Sequence, residues 1–131
     1  MLNGNGSEQI FLPPSVPGEA YTALSLDRSV LKQQEDGTFY RRMIDGTEEE
    51  YDSNGLLQIV RDRNGNETTF HFSDEGKIEK IVDPVGLTTT FRYSGGLVSQ
   101  IEDPAGRITT LNHVSKNLTS VTDPDLSLIH I

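Results

Sequence analysis

Tyr51-Asp52-Ser53-Asn54-Gly55-Leu56-Leu57-Gln58-Ile59-Val60-Arg61-Asp62-Arg63-Asn64-Gly65-Asn66 decides how the chain is read. It opens on an aromatic residue, turns at Asn54-Gly55, runs through an aliphatic stretch and turns again at Asn64-Gly65. Asn-Gly and Asp-Gly pairs suit tight hairpin turns, because Gly takes positive φ with no Cβ penalty. The residues between favour a pleated surface.

The same order returns along the chain. An aromatic recurs at Tyr51, Phe72 and Tyr93, with His113 in the fourth register. One aliphatic column is Leu57, Ile78, Val98 and Leu118, and a second is Val60, Ile81, Ile101 and Val121. Asp62, Asp83, Asp103 and Asp123 form a third. The offsets are 21 or 20 throughout. Gly65, Gly86 and Gly106, then Thr69, Thr90 and Thr110, then Phe70, Phe91 and Leu111 hold the same register. Glycines also mark a half-period: Gly37, Gly46, Gly55, Gly65, Gly76, Gly86, Gly96 and Gly106 lie 9 to 11 residues apart. A fixed period of this kind is the mark of a repeat architecture. Each repeat reads as two short strands and two turns, so the fold expected is all-β, an antiparallel meander of tandem hairpins forming an open, curved ribbon.

The turn after each aliphatic strand has its own chemistry. Asp83-Pro84-Val85-Gly86 and Asp103-Pro104-Ala105-Gly106 match a type I turn. Asp at the first position bonds the backbone two residues on, Pro presets φ at the second, and Gly closes the fourth. Asp62-Arg63-Asn64-Gly65 is the same turn without Pro. The strand faces are less legible. Thr68, Phe70 and Phe72 share one face by simple alternation. Leu57 and Val60, three apart, fall on opposite faces unless a bulge intervenes; otherwise both faces are partly covered.

Three stretches follow from this pattern. Residues 1–35 precede the repeats; Pro13, Pro14, Pro17 and Gly18 mark a loop there, and Ala20 to Leu31 suits either a short strand or one helical segment. Residues 36–125 hold the repeats, with Asp36 to Gly46 as the hairpin that leads in. Residues 126–131 break the pattern: after Asp123-Pro124-Asp125 a Gly is expected, and Leu126 stands there. Leu126 to Ile131 also reads as a translation of CTG TCT CTT ATA CAC ATC, which resembles a transposon end used in sequencing-library preparation. These six residues are expected to be adaptor-derived, and the natural protein to continue past Asp125.

Composition narrows the function classes. With 34% hydrophobic and 7% aromatic residues and no Trp in 131 residues, the material for a core is thin. A net charge of −9 with scattered basic residues, only Arg41-Arg42 adjacent in the repeats, argues against nucleic acid and anionic membrane as partners. No stretch approaches the length of a membrane-spanning helix, and the start carries no signal-peptide pattern. Without Cys there is neither a disulfide framework nor a thiolate metal site.

Residues 36–125 resemble the RHS, or YD, repeat family. The first register carries the likeness best, from Tyr51-Asp52 and Gly55 through the spaced aliphatics to Asp62 and Gly65. Thr88-Thr89-Thr90-Phe91-Arg92-Tyr93 and Leu118-Thr119-Ser120-Val121-Thr122-Asp123-Pro124 are equally similar to it. Departures are Phe72-Ser73, Tyr93-Ser94 and His113-Val114 in place of Tyr-Asp, one residue lost at the turn in the later copies, and Lys116 in place of Gly. The resemblance implies a mechanical role. Family repeats form a β-ribbon that spirals into a hollow shell, which in bacterial polymorphic toxins encloses a C-terminal toxin and elsewhere mediates contact at a cell surface. It implies a secreted or surface location, with neighbouring repeats of a longer chain and an encapsulated C-terminal domain as partners. Four copies are too few to close a cage, so the expected role is wall only, and neither enzymatic activity nor a cofactor is expected.

Sharper readings of single residues give way to plainer ones. A calcium array on the Asp column would need six to eight oxygens per ion, whereas each repeat supplies one recurring carboxylate, so turn capping is the better reading. Glu48-Glu49-Glu50 reads as a solvated strand face. His71, His113 and His130 lack ligand spacing, and no Ser or Thr has a base and orienting group at motif spacing. Asn66-Glu67-Thr68 and Asn117-Leu118-Thr119 fit the glycosylation pattern, but both Asn read as turn residues. Tyr51, Phe70, Phe72, Phe91 and Tyr93 form an aromatic column expected to pack across strands; the competing reading is a ladder that binds carbohydrate or polypeptide.

Overall fold

The computed structural model describes residues 9–24, 28–125 and 128–130. Every regular element among them is a β-strand, and the strands pair antiparallel with their neighbours in the chain. The chain divides into two compact units, one ending at Thr69 and the other starting at Phe70.

The first unit holds β1 (Phe11–Leu12), β2 (Ala20–Ala23), β3 (Val30–Gln33), β4 (Phe39–Arg42), β5 (Glu48–Tyr51), β6 (Leu57–Arg61) and the start of β7 (Glu67–Phe72). Of the stretch Ala20 to Leu31, open between strand and helix from sequence, Ala20–Ala23 lies in one strand and Val30 and Leu31 in the next, residues 25–27 lying outside the described residues, and both strands extend the meander upstream of the repeats. The second unit holds β8 (Ile78–Val82), β9 (Thr88–Ser94), β10 (Leu97–Glu102), β11 (Ile108–Val114), β12 (Asn117–Thr122) and β13 (Leu128–His130).

The Asp turns form as their chemistry requires. The Asp83 N–H donates to the Leu87 carbonyl at 2.9 Å, and the Gly86 N–H donates to the Asp83 carbonyl at 3.0 Å. Asp83 Oδ1 accepts the N–H groups of Val85 at 3.0 Å and Leu87 at 2.8 Å. Pro84 sits at the second position, where the hairpin calls for no N–H donor. Gly86 has φ +86°, a conformation that strains any residue with a Cβ. Asp103 and Asp62 repeat the arrangement, as does Asp52 on the opposite rim. At Ser73 a hydroxyl takes the part of the carboxylate and accepts the Lys77 N–H at 3.3 Å.

Where the later copies lose a residue, the loop shortens to two. Ser94 pairs directly with Leu97 around Gly95-Gly96, and Val114 with Asn117 around Ser115-Lys116. Both central residues of each turn have positive φ, the left-handed pair that matches the twist of a two-residue hairpin. Gly95-Gly96 adopts it freely; Ser115 (φ 50°) and Lys116 (φ 70°) do so against their Cβ atoms.

The spacing of three between aliphatic columns is explained by bulges. Tyr51 pairs with Leu57 and Glu50 with Ile59, so Gln58 is an extra residue. Ser99 and Thr119 are extra in the same way, between Val98 and Gln100 and between Leu118 and Ser120. Each bulge returns the second aliphatic to the face of the first. In the second unit one face therefore gathers Tyr93 opposite Val98, Phe91 opposite Ile101, Leu111 opposite Val121 and His113 opposite Leu118. Of the aromatic column, Phe91 and Tyr93 stand opposite aliphatics, and Tyr51 stands between Phe39 and Leu57.

Burial is uneven. Gln9, Ser29, Leu31, Arg41 and Tyr51 are buried in the first unit, and in the second only Ser120 is, among the described residues. The second unit is a single layer whose apolar face is half-covered by its own neighbouring side chains, as the thin composition foreshadows.

Candidate functional site

The buried residues of the first unit converge on Arg41. Strand alternation puts Arg41 on the same face as Leu31, Phe39, Glu49 and Tyr51, through the pairs Leu31 with Arg41, Arg41 with Glu49 and Phe39 with Tyr51. Its Nε donates to Ser29 Oγ at 3.1 Å, Nη2 to Gln9 Oε1 at 2.7 Å and Nη1 to Glu49 Oε2 at 3.2 Å. The guanidinium carbon lies 5.6 Å from the Phe11 ring centroid. The Tyr51 hydroxyl donates to the same Glu49 oxygen at 2.6 Å. Burial first, and the Glu49 carboxylate second, hold the Tyr51 phenol well above its ordinary range, so it stays a donor.

This network brings Gln9 and Phe11 over a side chain three strands away in sheet order. The upstream end of the unit therefore curls over its own apolar face. Beside the network lies an open recess of about 290 Å³, lined by Phe11, Tyr21, Leu31, Phe39, Tyr51 and Gly55. Tyr21 and Phe39 meet edge to face, their centroids 6.2 Å apart. The recess suits an apolar side chain or the face of a sugar ring, since stacked aromatics offer flat, weakly polar walls.

Glu48-Glu49-Glu50 is not one solvated face. Alternation sends Glu49 into the Arg41 network and Glu48 and Glu50 to the other side, where both meet Arg61 Nη1 at 3.2 Å. Arg61 Nε donates to Glu67 Oε1 at 2.7 Å, so one cation serves three carboxylates. These groups are partly exposed, and pairs of that kind contribute little individually.

Of the repeat-column residues singled out from sequence, Tyr51 is the one the structure brings into the buried cluster. Asp52, Asp62, Asp83 and Asp103 cap separate turns, each with its own glycine at positive φ (Gly55, Gly65, Gly86 and Gly106), while Gly76 takes that conformation in the Ser73 turn and Gly96 in the two-residue turn. Pro84 and Pro104 follow their Asp, and Asp123-Pro124 precede β13. Tyr93 donates its hydroxyl to the Ile78 carbonyl at 2.8 Å, with Lys77 Nζ 5.7 Å from its ring centroid. Phe72 is half-buried at the end of β7. Gln9, Ser29, Arg41 and Glu49 were not legible as a group. Asn66 is a turn residue, its Nδ2 donating to Asp62 Oδ2 at 2.7 Å. No three His, Asp or Glu side chains among the described residues are grouped to hold a metal ion.

The turn carboxylates give the chain a pH dependence. The Asn66 side chain and then its backbone N–H hold Asp62 below its ordinary pKa, and Arg107 and then its backbone N–H do so for Asp103. Thr38 lowers Asp36 and Thr47 lowers Asp45 in the same way. A depressed folded-state pKa means stability that is complete above the unfolded value and lost as pH falls through the folded one. The melting temperature is expected to be level from neutrality down to the ordinary carboxylate range, then to fall on further acidification. An Asp62→Ala variant should melt lower than the parent at pH 7 and approach it at pH 2; a difference unchanged by acid would remove the carboxylate as cause.

No protein-family model matches the chain, and no curated protein matches it.

Proposed function

We propose that this chain is a wall segment of a large RHS-type repeat protein, exported or displayed at a cell surface, which encloses or scaffolds a separate C-terminal, toxin-like domain. The observation that carries this reading is the recurrence of one hairpin chemistry every 20 or 21 residues. The Asp carboxylate closes the turn, Gly ends it, and a bulge returns both aliphatics to the aromatic face. Such a unit cannot bury its apolar face alone and is stable only when neighbours extend the sheet. Its polar groups are spent on turn caps and on the Arg41 network, which fits a load-carrying role better than catalysis. Its partners are then adjacent repeats and the enclosed domain, with nucleic acid and cofactors playing no part. The test is a long genomic read across codon 125. It should reveal Gly after Asp125, further copies at the same spacing and then a distinct C-terminal domain. Unrelated sequence after codon 125 would overturn the proposal.

The aromatic recess favours a second reading, in which the ribbon is a surface module that binds carbohydrate or a protein side chain. A glycan array separates the two: silence across a broad panel removes the carbohydrate form of this reading.

A further inference from the structure

The recess beside the Arg41 network is walled chiefly by rings. Strand pairing sets Tyr21, Phe39 and Tyr51 on the face that Phe11 also lines. The Tyr21 and Phe39 planes stand 69° apart and so form a corner. Ring faces carry negative charge density and attract a cation without any hydrogen bond. Phe11 already does so, with the Arg41 guanidinium 5.6 Å from its centroid. The Tyr51 hydroxyl is given to Glu49 at 2.6 Å. Donation to a carboxylate polarises the phenol and makes its ring richer in electrons. The other walls are Leu31 and Gly55, which offer no polar side chain. A sugar seated here would leave hydroxyls unpaired, at a cost. A group that is cationic and has no N–H or O–H loses nothing of that kind.

Charge points the same way. Phe39 and Tyr51 also line a neighbouring cleft whose walls include Glu35, Asp36, Glu50 and Asp52 and, among the described residues, no Lys or Arg. Glu50 is shared with Arg61, while Asp36 and Asp52 accept amide N–H groups of their own turns, which leaves their charge in place. The positive charge nearest the rings, on Arg41, is matched by Glu49. We propose that the recess is a binding site for a small quaternary ammonium cation, a trimethylammonium group on a ligand that carries no anion. The rings take the methylated head, and the acidic rim selects for net positive charge. This inference uses the recess of the surface-module reading with a different class of ligand, and it is independent of the shell-wall proposal.

The test is a proton NMR titration of the intact chain with choline, neohexyl alcohol (the same shape with carbon in place of nitrogen), phosphocholine and cellobiose. Choline is expected to show a saturable upfield shift of its N-methyl resonance, as ring faces produce. It should bind about fivefold more tightly than neohexyl alcohol. Phosphocholine, which brings a phosphate to the acidic rim, should bind more weakly than choline. Phe39→Leu keeps the recess apolar but removes a ring, so it should weaken choline about fivefold and change neohexyl alcohol by less than about twofold. The comparison of ligands is made on the parent chain and holds whether or not the variant folds. Equal affinity for choline and its carbon analogue, no saturable shift with choline, or phosphocholine bound as tightly as choline would overturn the inference. So would a folded Phe39→Leu chain that binds choline undiminished, or cellobiose bound in place of choline, which would favour the carbohydrate reading instead.

Discussion

Replacing Arg41 with Ala is expected to lower the unfolding free energy of the first unit by about 3–5 kcal/mol, the usual cost of removing one partner from a buried ion pair. Three things are lost together. Glu49 loses its guanidinium partner, Ser29 Oγ and Gln9 Oε1 lose the hydrogen bonds that Arg41 donates, and Phe11 loses the guanidinium it covers. Against the few kcal/mol by which small domains are stable, that is enough to detach β1 from the face it covers. Arg41→Lys should recover little, because one ammonium cannot reach three acceptors that a planar fork meets along different edges. Urea denaturation followed by circular dichroism measures the loss, and amide exchange in β1 to β4 should accelerate with it. A change below about 1 kcal/mol, the scale of an exposed pair, would mean that the network does not hold this end of the unit.

The contrast between this network and the turns explains what sequence conveys. An Asp-Pro-x-Gly turn is complete within five consecutive residues: donor, acceptor, fixed φ and positive φ are all local, so four residue types announce it. The bulges are nearly local. The spacing of three between Leu57 and Val60 is their signal, but that spacing also suits a strand covered on both faces, and only pairing with Tyr51 and Glu50 separates the two. The network has no local signal. Gln9 is 32 residues from Arg41 and Ser29 is 12 away, and in sequence Arg41 looks like half of a basic pair. In a strand, a run of three Glu must send its middle member to the face opposite the other two, so Glu48 to Glu50 do not form a single solvated face.

That alternation has a consequence for how the chain works. The two faces of the first unit carry different interactions: Phe39, Tyr51, Leu31 and the Arg41 network on one, Tyr40 and Arg61 with its three carboxylates on the other. The second unit repeats the division more simply, with aromatic–aliphatic pairs on one face and Thr90, Arg92, Gln100, Glu102 and Thr110 on the other. A sheet with one apolar and one charged face sorts its surroundings: the charged side stays in water and the apolar side seeks cover. Under the shell-wall proposal, the apolar side is the one expected to face the enclosed domain.

Changing Ser115 to Asn and Lys116 to Gly is expected to stabilise the β11–β12 hairpin by about 1–2 kcal/mol, from the cost of placing L side chains in the left-handed region. The two-residue turn requires positive φ at both positions, and Asn-Gly meets that demand better than any other natural pair. Most of the gain should come from Lys116→Gly, since φ 70° is the farther of the two from what a long side chain tolerates. Gly's greater freedom in the unfolded chain subtracts from it. The neighbouring hairpin supplies the converse. Gly95-Gly96 makes the same turn without Cβ atoms, so writing Ser-Lys there should cost a similar amount. Opposite shifts of the urea midpoint in the two variants are the expected result. A loss of stability in the Asn-Gly variant would show that Ser115 and Lys116 are not held at positive φ, and with it would go the account of how the later repeats shorten their loops without breaking register.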